Sequence, residues 1–271
     1  MDWDEPAIVL DTAPYGDHDL IATVMTAAHG AHRGLIKGGA SRAQAGTWQV
    51  GNFLQARWNG RLSEQLGHFR AELVHATAAA VMDAPLSLAM LSAVCAVSVD
   101  ALPEREPHEA VFSGLVALLP RLVLGKAALP DLVRWETMLL ADLGYGLDLT
   151  RCAVTGATAG LAFVSPRSGR AVTVAGAGEW ADRLLPLPAF LASLEGAGPG
   201  SEAPAGTPEP APDATETVPG MVACRDGLRL TGHFLARDVF GARHRPVPMA
   251  RLMLYDRVAA LAAESENQDA G

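Results

Sequence analysis

The first eighty residues separate into five short strand-like runs, and this pattern restricts the fold more than any other feature of the chain. Each run is rich in β-branched or aromatic residues and adjoins a glycine turn signal such as Tyr15-Gly16 or Asn59-Gly60. The runs are PAIVLDTAPYG, DLIATVMTAAHG, RGLIKGGAS, GNFLQARWNGR and HFRAELVHA. Five short strands suit a small closed barrel, and the OB-fold is the common five-stranded solution. We therefore predict an OB-fold barrel over residues 1–79.

After about residue 77 the composition changes to alanine- and leucine-rich segments with helical spacing. Helices are expected at 85–101, 107–124 and 130–143, because each segment begins with proline, which suits the first turn of a helix. The third ends before Gly144, a residue suited to a helix C-terminus. We predict an α+β multidomain chain in which a helical domain, residues 80–271, follows the barrel. Its further expected helices are 183–194, 228–240 and 248–263.

The segment RCAVTGATAGLAFVSPRSGRAV, residues 151–172, has the spacing of a zinc ribbon from which most ligands are missing. Cys152 and Thr155 stand three apart, and Ser165 and Ser168 repeat that spacing. Structural zinc needs thiolate or imidazole donors, so hydroxyl groups are poor ligands. We predict a zinc-ribbon-like hairpin at about 148–175 that has lost most of its Cys ligands and binds no metal, with Ser and Thr bonded to the turn backbone. A plain β-hairpin that never bound a metal is the alternative interpretation.

Residues 196–220, GAGPGSEAPAGTPEPAPDATETVPG, have no apolar periodicity and no positive charge. Such a composition cannot bury enough apolar surface to offset the entropy lost on ordering. We predict a flexible insertion at this point of the helical domain.

The chain carries a formal net charge of −9, but its charges are separated into blocks. Residues 21–70 have a net charge of +5, and residues 221–257 have a net charge of +4. Because surface fields fall off within about 10 Å in ordinary salt, local blocks matter more for binding than the total. A polyanionic partner is therefore compatible with this acidic chain. In the second block, Arg243 and Arg245 are a candidate nucleic-acid surface, and charge that keeps a helix face soluble is the alternative.

The fourth strand-like run places cations and an aromatic ring on one side of the barrel. Successive side chains of a strand point to opposite faces, so Phe53, Arg57 and Arg61 share one face. Leu54 and Trp58 share the other. OB-folds bind single strands with a positive groove and aromatic platforms for the bases. The barrel residues that we predict to bind DNA are Arg33, Lys37, Arg42, Phe53, Arg57 and Arg61.

Catalytic motifs are missing from the sequence, which has no Walker loop, no G-x-S-x-G and no H-E-x-x-H. His29 and His32 with residues 17–19 can be drawn as a metal cluster, but histidines near acids in turns are commonly solvated. We therefore expect a protein that is not an enzyme, with no catalytic residue, no metal and no cofactor. A hydrolase or transferase that uses His29 and His32 is an alternative.

The number and spacing of the cysteines and the lengths of the apolar runs indicate the cellular compartment of the protein. Cys95, Cys152 and Cys224 are odd in number and far apart, which favours free thiols over a disulfide framework. No apolar run reaches the roughly 20 residues that span a bilayer. Residues 1–20 hold six acidic groups and no basic one, the reverse of a signal peptide. We expect a soluble cytoplasmic protein with no membrane partner.

Seven short motifs, in this order, resemble the RecO family of bacterial DNA-repair proteins. They are YGDHDLIATVMTAAHG, GLIKGGAS, GNFLQARW, EQLGHF, LGYGLDLTRCAVTG, FVSPRSGRAV and LTGHFL, and they extend through nearly the whole chain. The resemblance implies an N-terminal OB-fold, a helical domain, and a ribbon that in some members binds zinc through two Cys-x2-Cys pairs. This sequence departs from that pattern at the ribbon, where Cys152 alone remains.

The resemblance also implies a function and a set of partners. Proteins of this family are recombination mediators that bind single- and double-stranded DNA and anneal complementary strands. They engage the C-terminal tail of single-stranded-DNA-binding protein and, with RecR, help to load RecA at gaps. For an acidic, apolar-ended tail the helical domain offers cations beside apolar residues, namely Arg121, Lys126 and Arg134 near Leu122, Leu124 and Trp135. A scaffold whose barrel binds a protein partner and no DNA is the alternative function.

Overall fold

The structure is a computed structural model that describes residues 2–61, 66–192 and 219–269. It begins with a closed five-stranded barrel of strand order β1-β2-β3-β5-β4. The barrel strands are β1 (Asp2–Tyr15), β2 (Asp19–Thr26), β3 (Gly30–Ile36), β4 (Phe53–Asn59) and β5 (His68–His75). Each of the five strand-like runs forms one of these strands, and the closed order is consistent with the predicted OB-fold.

Barrel closure brings together strands that are distant in sequence. The first half of β1 pairs antiparallel with β4, and its second half pairs antiparallel with β2. β3 and β5 meet in parallel at one residue pair, Leu35 and His68, and β5 continues as the antiparallel partner of β4. The outward side chains of β4 and β5 therefore lie beside the end of β3.

Apolar side chains fill the barrel interior, because alternate residues of each strand point inward. Leu54, Ala56 and Trp58 of β4 are buried, which confirms the alternation predicted for this strand. The connection from β3 to β4 contains α1 (Arg42–Ala45) and then Trp48, whose ring packs 5.9 Å from that of Phe69. The polar residues of β4 are consequently left on the outer surface.

Helices dominate the described chain after the barrel. They are α2 (Thr77–Val81), α3 (Pro85–Ala101), α4 (Glu109–Leu118), α5 (Leu129–Asp142), α6 (Val174–Ala177), α7 (Ala189–Ala192), α8 (Met221–Phe234) and α9 (Met249–Asp269). Pro85 and Pro130 occupy the first turns of α3 and α5, where a missing N–H donor costs nothing.

The predicted helix at 107–124 is shorter than expected. α4 ends at Leu118, and a 3₁₀ segment, Leu119–Ala128, follows it. Within that segment Gly125 has a φ of 59°, a left-handed conformation that interrupts helical hydrogen bonding and that glycine adopts without steric cost.

The predicted helix at 183–194 is wrong over most of its described part. Leu185–Pro186 forms a short strand, and helix is confined there to Ala189–Ala192. Pro186 and Pro188 lack backbone N–H donors, so a continuous helix cannot pass through them.

One hydrophobic core joins the helical domain to the barrel. Met90 and Val94 of α3 are buried in it, and Ile8 and Leu10 of β1 reach it from the outer side of the barrel wall. The barrel and the helices are therefore held against each other by apolar burial, and surfaces at their junction depend on both.

A buried ion pair connects three helices. Arg251 of α9 pairs with Glu136 of α5, and their side chains are 2% and 1% exposed. Arg251 Nη2 also donates to the Leu228 carbonyl at 2.8 Å, and Thr231 Oγ1 donates to Glu136 Oε2 at 2.5 Å. Each charge is thus compensated and hydrogen-bonded, the condition under which a buried ion pair is tolerated.

The ribbon region contains a three-stranded sheet of order β7-β6-β8. Its strands are β6 (Leu161–Val164), β7 (Ala171–Thr173) and β8 (Leu185–Pro186). In the described part of the chain, no group of three or more His, Cys, Asp and Glu side chains is placed to hold a metal ion. The zinc-ribbon ancestry of this region is not confirmed.

Hydrogen bonds hold the turns of the ribbon region. Cys152 Sγ accepts from the backbone N–H groups of Thr155 at 3.4 Å and Thr173 at 3.3 Å. Burial by itself raises the pKa of the Cys152 thiol, but the hydrogen bonds from Thr155 and Thr173 together outweigh it and lower the pKa to about 6. Ser165 Oγ accepts from the backbone N–H of Ser168 at 3.3 Å, so Ser hydroxyls do bond to the turn backbone as predicted.

By length and composition, one helical stretch, Glu109–Asp142, is able to cross a membrane. It is interrupted at Gly125, and Leu115, Leu122 and Leu139 lie in the shared hydrophobic core. Core helices of soluble proteins pass the same test, so this stretch does not by itself indicate a membrane protein.

The predicted insertion at 196–220 lies outside the described residues except for Pro219 and Gly220. The last barrel strand ends at His75 and α2 begins at Thr77. The domain boundary after residue 79 stays a prediction.

Candidate nucleic-acid interface

A groove on the outer surface of the barrel collects cationic side chains. Its cavity of about 560 Å³ is lined by Lys37, Arg57, Asn59, His68, Phe69 and Arg70, and we call it the barrel groove. Lys37 directly follows β3, and the other residues belong to β4 and β5. Lys37, Arg57 and Arg70 are exposed, so the groove presents three cations to solvent.

Arg57 and Arg70 are direct cross-strand partners in the antiparallel pairing of β4 with β5. Direct partners have Cβ atoms about 4.5–5.5 Å apart, and like charges in this relationship destabilise a sheet. Within the described residues Arg70 forms no ion pair that would offset this repulsion. A phosphate between the two guanidinium groups would offset it, since arginine binds phosphate through charge-assisted hydrogen bonds.

Asp4 of β1 binds Arg57 from the other side. Asp4 Oδ2 accepts from Arg57 Nε at 2.9 Å and from Nη2 at 2.5 Å, and Gln55 Nε2 donates to Oδ1 at 2.7 Å. The hydrogen bonds from Gln55 and then Arg57 hold the pKa of the Asp4 carboxyl below its usual value. The same contact with Asp4 raises the pKa of Arg57.

The other predicted cations lie around the groove without lining it. Arg33 points outward from β3 and its Nη1 lies 3.8 Å from Glu104 Oε1. Arg42 is exposed on α1, and Arg61 is exposed just beyond the end of β4. Of the predicted cationic barrel residues, the structure therefore brings Lys37 and Arg57 together in one cavity and leaves Arg33 and Arg42 apart from it.

Phe53 does not belong to the groove. The register of β4 against β5 shifts between Phe53 and Leu54 because β5 has one extra residue there, Val74, whereas β4 keeps its register against β1 as far as Phe53. Phe53 is half-buried against the shared core and lines a different cavity, with His75 and Val123. Phe53 and Arg57 do share the outer face of β4, as the alternation predicted, but the helical domain covers that face at Phe53 and leaves it exposed at Arg57. DNA binding by Phe53 stays a prediction.

His29 and His32 lie in different environments. His32 is buried inside the barrel with its ring 4.7 Å from that of Trp58. Burial, with smaller contributions from Arg105 and His29, lowers the pKa of His32 to about 4. His29 Nε2 lies 3.3 Å from Glu5 Oε1. His32 is consequently a neutral part of the barrel interior at neutral pH.

Comparison with known proteins identifies the family. The family model described as "Recombination protein O N terminal" matches residues 1–77, and the one described as "Recombination protein O C terminal" matches residues 82–199. The chain belongs to the RecO family. A relative named DNA repair protein RecO from Granulibacter bethesdensis is 52% identical over 271 residues and covers 100% of both chains. Relatives of the same name from Acidiphilium cryptum and Rhodospirillum centenum are 53% and 43% identical, over 95% of this chain and 96% and 94% of their own.

These relatives support a role in DNA repair for this RecO-family chain. Their names do not specify which residues bind DNA. The barrel groove is therefore the candidate interface on physical grounds alone.

The predicted tail-binding residues of this RecO-family chain are only partly placed as expected. Leu122 and Trp135 are buried in the core, so they do not line an exposed pocket. Arg121 and Arg134 both bind Asp131, at 2.5 Å and 3.0 Å. Two of the three expected apolar partners are thus buried and only Leu124 is exposed, because helical spacing alone does not show which face of a helix packs inward.

An apolar cavity of about 370 Å³ lies beside Arg121, at the junction of the barrel and the helices. It is lined by Phe53, His75, Ala76, Thr77, Ala80, Val116, Leu119, Pro120 and Val123. Val123 and Leu124 are exposed next to it in sequence, and Lys126 is exposed without an ion pair among the described residues. This cavity, whose lining residues Pro120 and Val123 are close in sequence to Arg121 and Lys126, replaces the pocket expected around Trp135.

Arg243 and Arg245 bind the C-terminal end of α3. Arg243 Nη1 donates to the Ala101 carbonyl at 2.8 Å, and Arg245 Nη2 lies 2.6 Å from Asp100 Oδ1. Cations at a helix C-terminus satisfy free carbonyls and the helix dipole. These contacts favour a structural role, and DNA binding by the two residues stays a prediction.

Sequence reasoning missed three residues of the groove region: Asp4, His68 and Arg70. The alternation His68, Arg70, Glu72 is present in the fifth strand-like run and was a usable signal. The partnership of Arg57 with Arg70 and with Asp4 required strand register, which sequence periodicity does not contain.

Proposed function

We propose that this chain is a DNA-binding recombination mediator that anneals complementary single strands. With RecR, it helps to load RecA onto DNA covered by single-stranded-DNA-binding protein, in gap and double-strand-break repair. The observation that supports this proposal most strongly is the cross-strand pair Arg57 and Arg70, which joins Lys37 in the barrel groove. Like charges directly opposite each other destabilise a sheet. Asp4 compensates Arg57, and an anionic ligand in the groove would compensate Arg70, which has no ion pair among the described residues.

The proposed mechanism is physical and uses no covalent step. Two phosphate backbones repel each other, so a protein surface that neutralises both allows complementary bases to search for register. Each phosphate contact releases condensed counterions, which makes affinity fall as salt rises. Binding to double strands follows from the same backbone contacts, because phosphates carry no base identity.

Alanine substitutions in the groove test the proposal. We expect Arg70→Ala and Lys37→Ala each to weaken binding of labelled oligothymidylate and to reduce the salt slope by about 0.7, the value for one single-strand phosphate contact. Arg229→Ala on α8 is the matched control, since it removes the same charge from an exposed position outside the barrel and the groove. If both groove variants keep the parent's affinity for DNA and its salt slope, the barrel groove does not bind DNA.

A scaffold that binds a protein partner through its barrel and no DNA is the competing function. The absence of any complex with single- or double-stranded DNA at low salt would favour it.

We assign the partner tail to the apolar cavity beside Arg121. The C-terminal tail of single-stranded-DNA-binding protein, being acidic with an apolar end, suits an apolar cavity that has cations at its edge. Arg121 is already engaged by Asp131, so the exposed Lys126 is the more available cation.

Fluorescence anisotropy with a labelled tail peptide tests this assignment. Lys126→Ala and Val123→Asp are expected to weaken binding, because they remove a cation and place a carboxylate at the cavity. Arg229→Ala on α8 is the control, as an exposed cation away from the cavity. Equal binding by all three variants and the parent would place the tail elsewhere.

A further inference from the structure

The contact between Asp4 and Arg57 occupies one edge of a groove cation with a carboxylate of the protein itself. Asp4 Oδ2 accepts from both Nε and Nη2 of Arg57, which is one of the two edges that a guanidinium offers to a phosphate. Asp4 does not move freely away from this position, because Gln55 Nε2 holds its other oxygen at 2.7 Å.

The ion pair also removes positive charge from the groove. Arg57 and Asp4 are neutral as a pair, so Lys37 and Arg70 remain as the cations of the groove without an acidic partner among the described residues. Both members of the pair are solvent-exposed, at 67% and 40% of their side-chain areas. Exposed ion pairs are weak and exchange readily, so a phosphate is able to replace the carboxylate.

The Asp4 carboxylate adds an exposed cross-strand ion pair between β1 and β4, but the pairing of these strands does not depend on it. β1 and β4 are joined by a backbone ladder that runs from Asp2 and Asn59 to Ile8 and Phe53, independent of the side chain at position 4. By contrast, Asp19 Oδ1 accepts from the Gly38 backbone N–H at 2.8 Å and stabilises a turn.

We infer that Asp4 lowers the affinity of the barrel groove for single-stranded DNA by competing with phosphate for Arg57. This inference rests on the proposed function of the groove. An aspartate carboxyl is ionised at neutral pH, and the contacts with Gln55 and Arg57 lower its pKa further, so the competitor is charged there.

The test measures binding of labelled oligothymidylate by the full chain carrying Asp4→Asn, a substitution that keeps the shape of the side chain and removes its charge. We expect affinity at low salt to rise about 2- to 5-fold, the range for one exposed ion pair. The salt slope becomes steeper by at most about 0.7, the value for one phosphate contact, because phosphate no longer shares Arg57 with the carboxylate. Asp11→Asn is the matched control: it removes the same charge from an exposed position of the same strand that does not line the groove.

Measuring the effect of Asp4→Asn in an Arg57→Ala background shows whether Asp4 changes DNA affinity through Arg57. The gain disappears there if Asp4 acts through Arg57. A gain of equal size in that background, or in Asp11→Asn, overturns the inference, because the effect then comes from net charge alone. Unchanged or weaker binding by Asp4→Asn also overturns it.

The groove variants separate this inference from the proposed function. If Arg70→Ala weakens binding while Asp4→Asn leaves it unchanged, competition by Asp4 is wrong and the groove still binds DNA. If neither substitution alters binding, both proposals are wrong.

Discussion

Arg57 and Arg70 stand directly opposite each other on β4 and β5, and the next pair on the same face of the sheet is Asn59 with His68. Cross-strand partners normally stabilise a sheet through packing or opposite charge, and like charges do the reverse. The barrel holds this unfavourable pair because β4 is anchored from within by Leu54, Ala56 and Trp58. Apolar burial inside the barrel thus maintains a cationic surface outside it.

Reversing the charge of Arg70 should raise the thermal stability of the barrel and lower its affinity for DNA. We expect Arg70→Glu to raise Tm by about 1–3 °C, because it replaces repulsion with attraction between cross-strand partners. The same substitution should abolish binding of oligothymidylate at moderate salt. Calorimetry and anisotropy on the same preparation check both effects, with Arg70→Gln as the neutral control. A fall in both Tm and affinity would mean that Arg70 supports the barrel rather than a ligand.

The buried His32 should make the barrel sensitive to acid. The folded pKa of about 4 lies below the ordinary value of 6.5, so the unfolded chain takes up a proton first as pH falls. Stability from this residue is complete above about pH 6.5 and is lost between there and pH 4. We expect a loss of about 2 kcal/mol between pH 7 and pH 5 by urea unfolding. His32→Phe should show a smaller loss than the parent, and the exposed His18→Gln should match the parent.

Breaking the buried ion pair should be costly. Glu136→Gln leaves Arg251 charged in the core, and we expect a loss of about 3–5 kcal/mol in the free energy of unfolding. Replacing both residues, as in Glu136→Leu with Arg251→Met, should cost much less than Glu136→Gln alone, because no unpaired charge remains. Denaturant titration of the three proteins measures this. Equal losses in the single and double variants would contradict it.

Chelation should leave the ribbon region unchanged. The hydrogen bonds from Thr155 and Thr173 to Cys152, and from Ser168 to Ser165, are independent of a metal. We expect the same Tm with and without a strong chelator, and no stoichiometric zinc in the purified protein by elemental analysis. A drop of several degrees on chelation would show that a metal stabilises the fold.

The sequence pattern predicted correctly those structural features that depend on interactions between residues close in sequence. The five barrel strands, the helices that begin at Pro85 and Pro130, and the inward alternation of Leu54, Ala56 and Trp58 could all be predicted. The free hydroxyls of the ribbon also bonded to their own turns, since these partners are two or three residues away. Such features depend on backbone conformation and side-chain alternation over a few residues.

The candidate interface depended on contacts that no short window of sequence contains. Asp4 and Arg57 are 53 residues apart, and they meet because β1 closes the barrel against β4. The packing of Phe53 against the shared core and the contact of Arg245 with α3 likewise follow from how distant elements pack. The sequence by itself determined the strands, most of the helices and the family. Tertiary structure alone decided which charged side chains are neighbours. Strand register, and the face of each helix that packs inward, are set by burial of the whole core.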